Sequence, residues 1–192
     1  MLYRQSVGLA RQKLTKDRLL HSISTADCGW KIARAYGVDP DRAYLAGVLH
    51  DIARELSTEQ LLRRAKEEGI ILRKEERARP FLLHGKVAAL IAQEEMGIRD
   101  RGVLDAISFH VTGRRNWTRL DQVLYLADKI EPTRDYPKVD FVRMLLEKGD
   151  FDRALFECLR NTIIYACQTK GWIVDTETVV VFNEVAKTAA GY

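Results

Sequence analysis

The chain has 192 residues with 31 basic and 27 acidic side chains, a net charge of +4 that is far from the dense basic stripe of a dedicated nucleic-acid binder. Nearly half the residues are apolar (46%), enough for a sizeable core, and the length suits a single domain over residues 1–192. Three widely spaced cysteines (Cys28, Cys158 and Cys167) form no CxxC pair and no disulfide framework. The first residues carry no apolar signal-like run and no stretch approaches a membrane span, so a cytoplasmic protein is expected.

Helical signals dominate in chain order. Thr15 is placed to cap a helix through KDRLLHSISTADCGWKIARAY, where Leu19, Ile23, Ala26, Trp30 and Ala33 keep the helical period and Gly37 marks the stop. Asp39-Pro40 reads as an N-cap followed by the first helical position, leading into LAGVLHDIARELS. Ser57-x-x-Gln60 has the spacing of a capping box ahead of LLRRAKEEG. LLHGKVAALIAQEEMG and DRGVLDAISFH follow. Thr118-x-x-Asp121 opens QVLYLADKIE, which Pro132 closes, and Asp150 begins a run ending at Gly171. The last run, TETVVVFNEVAKTAA, has a valine cluster with strand propensity but no partner strand. The reading is all-α: one helical bundle of about eight or nine helices, without repeats or long linkers.

Only four histidines occur: His21, His50, His84 and His110. Each falls in or at the end of a predicted helix among small or apolar residues, where a single histidine reads as an ordinary packed side chain. Four of them on four helices, with two aspartates, invite a second reading. Successive helical residues point about 100° apart, so His50 and Asp51 can approach one ion from the side while Asp51 reaches a neighbouring one. Ala46 and Gly47 are small enough for another helix to pack closely. Asp128 sits in an otherwise apolar helical face, LYLADKIEP. A buried carboxylate needs a partner, either a cation or an arginine.

Taken together, LLHSISTA, GVLHDIARE, LLHGKVAA, ISFHVTG and LADKIEPTRDYP occur in an order that resembles the HD superfamily of metal-dependent phosphohydrolases. More narrowly, they resemble its branch of symmetrical bis(5′-nucleosyl)-tetraphosphatases. The resemblance runs from about Lys13 to the last helix. It implies an HD-type helical bundle that hydrolyses diadenosine tetraphosphate to two ADP, with water as the nucleophile. His21, His50, Asp51 and Asp128 are implied as ligands of a first metal. His84 and His110 are implied either to hold a second metal, with Asp51 bridging, or to contact the substrate phosphates. One departure is visible: Val111 stands where the family commonly has threonine, so a substrate contact there would come from the backbone. A homodimer is also implied.

Imidazole ligands suit iron, manganese, cobalt or zinc better than magnesium, which prefers oxygen shells. Iron is the expected ion, one or two per chain. Arg18 lies three residues before His21, Arg54 three after Asp51, and Arg134 follows Asp128. All three are candidates for a phosphate cradle, with solvated surface arginines as the bland alternative. Lys86 and Lys129 rank below them. Thr112-Gly113 reads either as a backbone phosphate site or as a helix stop. The resemblance implies that the segment from Lys170 to Glu177, with Gly171 and Trp172, lies over the nucleotide. As a residue, Trp172 is read as core packing, with stacking on a purine as the alternative, while Trp30 and Trp117 are read as packing. Two rival chemistries share the ligand pattern: hydrolysis of another nucleotide phosphate, and a di-iron oxygenase.

Overall fold

The computed structural model describes residues 2–169 and 171–189. Eleven α-helices and one 3₁₀ turn follow one another, with no strand among the described residues. They are α1 (Leu2–Lys13), α2 (Lys16–Ala35), α3 (Pro40–Leu49), α4 (Thr58–Glu67), α5 (Lys74–Ala78), the 3₁₀ turn Pro80–Leu83, α6 (His84–Met96), α7 (Arg101–Phe109), α8 (Arg119–Ile130), α9 (Val139–Glu147), α10 (Phe151–Gln168) and α11 (Thr176–Ala189). None of these helices is long and apolar enough to cross a membrane. The all-α reading stands, with a higher helix count than the sequence suggested.

The start signals work as their chemistry requires. Asp39 accepts from the backbone of Asp41 and Arg42 with Pro40 behind it, and Ser57–Gln60 and Thr118–Asp121 close reciprocal capping boxes. Asp150 caps α10 through Arg153 N. Thr15 differs: it makes no cap bond to α2, because its amide and hydroxyl both donate to the Glu55 carboxylate, 3.0 and 2.6 Å away. That interaction ties the α1–α2 corner to the loop after the His50–Asp51 pair. The valine-rich final run is helical, since Val181 and Val185 are one turn apart and both buried.

The helices that carry the candidate site pack on one another through small residues. α2 lies along α3 and α8, and α7 lies against α3, α6 and α8. At Gly47 a Cβ would stand 2.5 Å from Ala26 Cα, so α2 and α3 touch backbone to backbone there. At Gly85 a Cβ would stand 2.8 Å from Ser108 O and 2.9 Å from Ile107 O, which draws α6 equally close to the end of α7. One expectation changes here. The run from Leu45 to Ser57 is not one helix: α3 ends at Leu49, His50 is its C-cap, and Arg54 N bonds back to Asp51 O in a tight turn. His50 keeps helical backbone angles (φ −57°, ψ −34°), and the chain leaves the helix through the turn that starts at Asp51.

Candidate metal centre

Each of the four histidines is buried, and each has its Nδ1 against an acceptor that points away from the common centre. His50 Nδ1 faces Gly47 O, His84 Nδ1 faces Phe81 O and His110 Nδ1 faces Ile107 O, all at 2.7 Å. His21 Nδ1 faces Glu131 Oε1 at 3.0 Å. An Nδ1 beside a carbonyl or carboxylate carries the proton, so each neutral ring leaves a lone pair on Nε2. Three of these anchors are the ring's own backbone three residues earlier, so the helix ends at Leu49, Leu83 and Phe109 orient the rings locally.

All four Nε2 atoms converge on Asp51 and Asp128. His21 Nε2 lies 3.0 Å from Asp128 Oδ1 and 3.8 Å from Asp51 Oδ2, and His50 Nε2 lies 3.7 Å from both of those oxygens. The other Asp51 oxygen, Oδ1, faces His84 Nε2 at 3.2 Å and His110 Nε2 at 3.8 Å. The two carboxylate oxygens of Asp51 thus address two different histidine pairs. Three triads each bring ligand atoms within 4.8 Å of one another: His21–His50–Asp51, His50–His110–Asp128 and Asp51–His84–His110.

The donor chemistry of these atoms fits a cation. His84 Nε2 and His110 Nε2 approach to 3.1 Å, and with both ring protons on the Nδ1 side, two lone pairs face each other beside a carboxylate oxygen. His50 Nε2 is fully buried with no hydrogen-bond partner, an arrangement that costs about 1–3 kcal/mol unless something satisfies it. Imidazole nitrogens with carboxylate oxygens are a transition-metal set.

Electrostatics keeps the two carboxylates ionised and His110 neutral. Burial opposes the charge of Asp51, but His50, His84 and His110 outweigh it and hold the carboxyl well below the ordinary range. For Asp128 burial is likewise outweighed, by Lys129, by the neighbouring His21 and His50, and by Arg134. His110 is pushed well below the usual imidazole value by burial and by the neighbouring His50 and His84, which leaves it neutral. At His50, burial lowers basicity, but Asp51 and Asp128 raise it further, so a positive charge is favoured at that spot.

The candidate cradle arginines divide. Arg134 reaches the centre: Nη2 donates to Asp128 Oδ1 at 2.7 Å and lies 3.2 Å from His21 Nε2, while Nε donates to Asp128 O. Arg18 Nη1 is 3.3 Å from Asp51 Oδ2. Arg54 instead stacks over the Phe81 ring, 4.1 Å from its centroid, and Phe81 in turn packs against His84. Lys129, ranked low from sequence, has its Nζ 2.5 Å from Asp128 Oδ2, whereas Lys86 is taken up by Glu76 at 2.7 Å. Asp128 therefore has both partners that the sequence left open, a basic side chain and a place among the histidines.

Other expectations change. Val111 is half-buried beside His110. The Thr112-Gly113 pair is a helix stop: Gly113 N bonds to Phe109 O, its φ is +70°, and a Cβ there would meet Val181 at 2.9 Å. Trp172 is not core packing. It is 37% exposed, with Arg79 4.2 Å above its ring and Tyr165 and Phe81 at its edges, because residues 171–173 run over the surface. Gly171 accepts from Arg79 through its carbonyl. Lys170, also in that segment, lies outside the described residues. Trp30 is half-buried under Arg34, and Trp117 packs edge-on to Tyr125. Sequence reasoning missed Glu131, which is fully buried, orients His21 and accepts from the Thr133 amide and hydroxyl. Its signal was present, a second carboxylate three residues after Asp128 at the end of the same helix.

Comparison with known proteins gives this geometry a family. The HD domain model matches residues 18–133. The symmetrical bis(5′-nucleosyl)-tetraphosphatase of Bacillus subtilis is 33% identical over 182 residues, covering 93% of this chain and 95% of its own. The protein of the same name from Staphylococcus aureus is 35% identical over 83% of this chain and 82% of its own. A solved structure from Clostridium acetobutylicum, described as a "predicted HD superfamily hydrolase involved in NAD metabolism", is 32% identical, covers 97% of both chains and superimposes with a TM-score of 0.91. The chain belongs to the HD domain family and, within it, to the family of the symmetrical bis(5′-nucleosyl)-tetraphosphatases.

Proposed function

We propose that this protein hydrolyses dinucleoside tetraphosphates, splitting diadenosine tetraphosphate symmetrically into two ADP. The observation that carries the reading is the set of four buried imidazoles with Nδ1 tied outward and Nε2 turned toward two carboxylates. The names of the Bacillus and Staphylococcus relatives support it.

In this reading His21, His50, Asp51 and Asp128 hold one ion, and His84 and His110 hold a second, with Asp51 shared. The alternative for His84 and His110 is direct contact with phosphate. Iron suits the mixed nitrogen–oxygen set, and manganese, cobalt and zinc are compatible with it. A divalent ion at such a site lowers the pKa of a coordinated water and polarises a phosphoryl oxygen. The chain's own residues do the rest. Asp51 and Asp128 stay ionised because basic neighbours outweigh their burial. Arg134, Arg18 and Lys129 border the same carboxylates and offer charge to the phosphate chain. Arg54, the Val111 backbone and the Gly171–Trp172 segment form the outer substrate contacts. We read the chain as one domain, and its cysteines as free thiols of a cytoplasmic protein.

The test is product analysis by chromatography after a protein of defined metal content is incubated with diadenosine tetraphosphate, with and without oxygen. The reading requires ADP as the only nucleotide product under both conditions. ATP with AMP, no turnover, or turnover only in oxygen would reject it, the last in favour of oxygenase chemistry.

A further inference from the structure

The turn that follows α8 carries two groups that grip His21 from opposite ends. Glu131 Oε1 faces its Nδ1 at 3.0 Å, and Arg134 Nη2 lies 3.2 Å from its Nε2 and 2.7 Å from Asp128. Within the turn, Arg134 N bonds to Glu131 O, and the Thr133 amide and hydroxyl bond to the Glu131 carboxylate. A second set of bonds comes from α9. Arg143 Nε donates to Ile130 O, and its Nη2 donates to both Glu131 O and Arg134 O, each at 2.9 Å. Two of these acceptors stand at the C-terminal end of α8, whose last carbonyls have no intrahelical partner. The remaining nitrogen, Nη1, pairs with Asp140, whose side chain is 90% exposed, so that ion pair adds little.

From this geometry we infer that Arg143, which lies beyond the 18–133 match to the HD model, is a positioning residue for the reaction. It clamps the backbone from Ile130 to Arg134 so that Arg134 faces the phosphate chain and Glu131 orients His21. The inference rests on the hydrolase reading for its kinetic form. Lysine cannot replace the fork, because a single ammonium on a flexible stem does not reach three carbonyls in fixed directions.

The test measures KM and kcat for diadenosine tetraphosphate, with metal content and melting temperature, in Arg143→Met, Arg143→Lys, Arg134→Ala and the Arg134→Ala/Arg143→Met double variant. Loss of positioning is expected to raise KM about tenfold in Arg143→Met with metal retained. In the Arg134→Ala background the same change should cost less than about threefold, because residues acting as one unit are not additive. Arg143→Lys should share the KM rise even where its melting temperature matches the wild type. Wild-type KM in Arg143→Lys, or full multiplication of the two single effects in the double variant, would overturn the inference. Should the wild-type protein fail to cleave the substrate, the hydrolase reading falls separately. Calorimetric binding of ADP to the metal-loaded protein then decides: about tenfold weaker binding in Arg143→Lys supports the clamp, and an unchanged Kd removes it.

Discussion

Asp51 is the side chain on which the centre turns, because its two oxygens face different histidine pairs. Asp51→Ala and His50→Ala should each abolish bound metal and turnover together while far-ultraviolet circular dichroism keeps most of its helical signal. Metal content by mass spectrometry checks this, and normal metal with normal turnover in either variant would remove that residue from the site. Glu131→Gln leaves an acceptor oxygen beside His21 Nδ1 but takes away its charge. Loss of such an outer carboxylate weakens metal binding by about 10–100-fold, so a chelator competition titration should show a weaker ion, and an unchanged affinity would contradict the role. At this scale the six candidate side chains stood out because histidine is rare here and each stands among apolar neighbours. Glu131 and Lys129 did not, because acidic and basic residues are common near helix ends, and only the fold shows that Glu131 is fully buried against His21.

The elements are held in register by glycines at two crossings. Gly47→Ala would place a Cβ 2.5 Å from Ala26 Cα, a backbone atom that cannot swing away. Overpacking of this kind costs about 1–3 kcal/mol, and in a chain of this size each kcal/mol lowers the melting temperature by about 2–4 °C. A melting curve within a degree of the wild type would mean that α2 and α3 are not in contact there. Gly85→Ala would press on Ser108 O and Ile107 O and stand 3.2 Å from His110 Nδ1. It should therefore loosen His110 as well as lower stability. Helix starts were readable wherever a side chain caps its own backbone, at Asp39, Ser57, Thr118 and Asp150. Three helices were not separated in the sequence. α5 has no apolar period, and it buries Glu75 and Glu76 in polar contacts instead. α9 follows two prolines and starts from Lys138 in a left-handed conformation, and α1 buries only Ser6, Leu9 and Ala10. The turn at His50–Asp51 was hidden because the apolar pattern continues past the true end of α3.

Across the whole molecule, one polar network joins α5 to the segment before α11: Arg73 pairs with Asp175 and Glu76, Lys86 pairs with Glu76, and the Thr176 hydroxyl reaches Glu75. Burial works against the Glu76 charge, yet Lys86 and Arg73 hold its carboxyl below the ordinary value. The unfolded chain then binds the proton more readily than the folded one. The stabilisation is complete above the unfolded value of about 4.3 and is lost as pH falls through the lower folded value. The melting temperature of the wild type should drop more steeply between about pH 5 and about pH 3 than that of Glu76→Gln; parallel curves would deny the network its role. No local pattern in the sequence reveals such pairing, since Arg73 and Asp175 meet only in the folded chain. The same holds for the centre: the resemblance named its candidate residues, but their convergence is a property of five packed helices.

The central claim is that these six side chains close around transition-metal ions bridged by Asp51. Anomalous X-ray scattering from a crystal grown with manganese or iron tests it directly. The account predicts peaks between Asp51 and the two histidine pairs, within coordination distance of the Nε2 atoms. A metal-loaded crystal with its anomalous peaks elsewhere, and none within reach of Asp51, would contradict it.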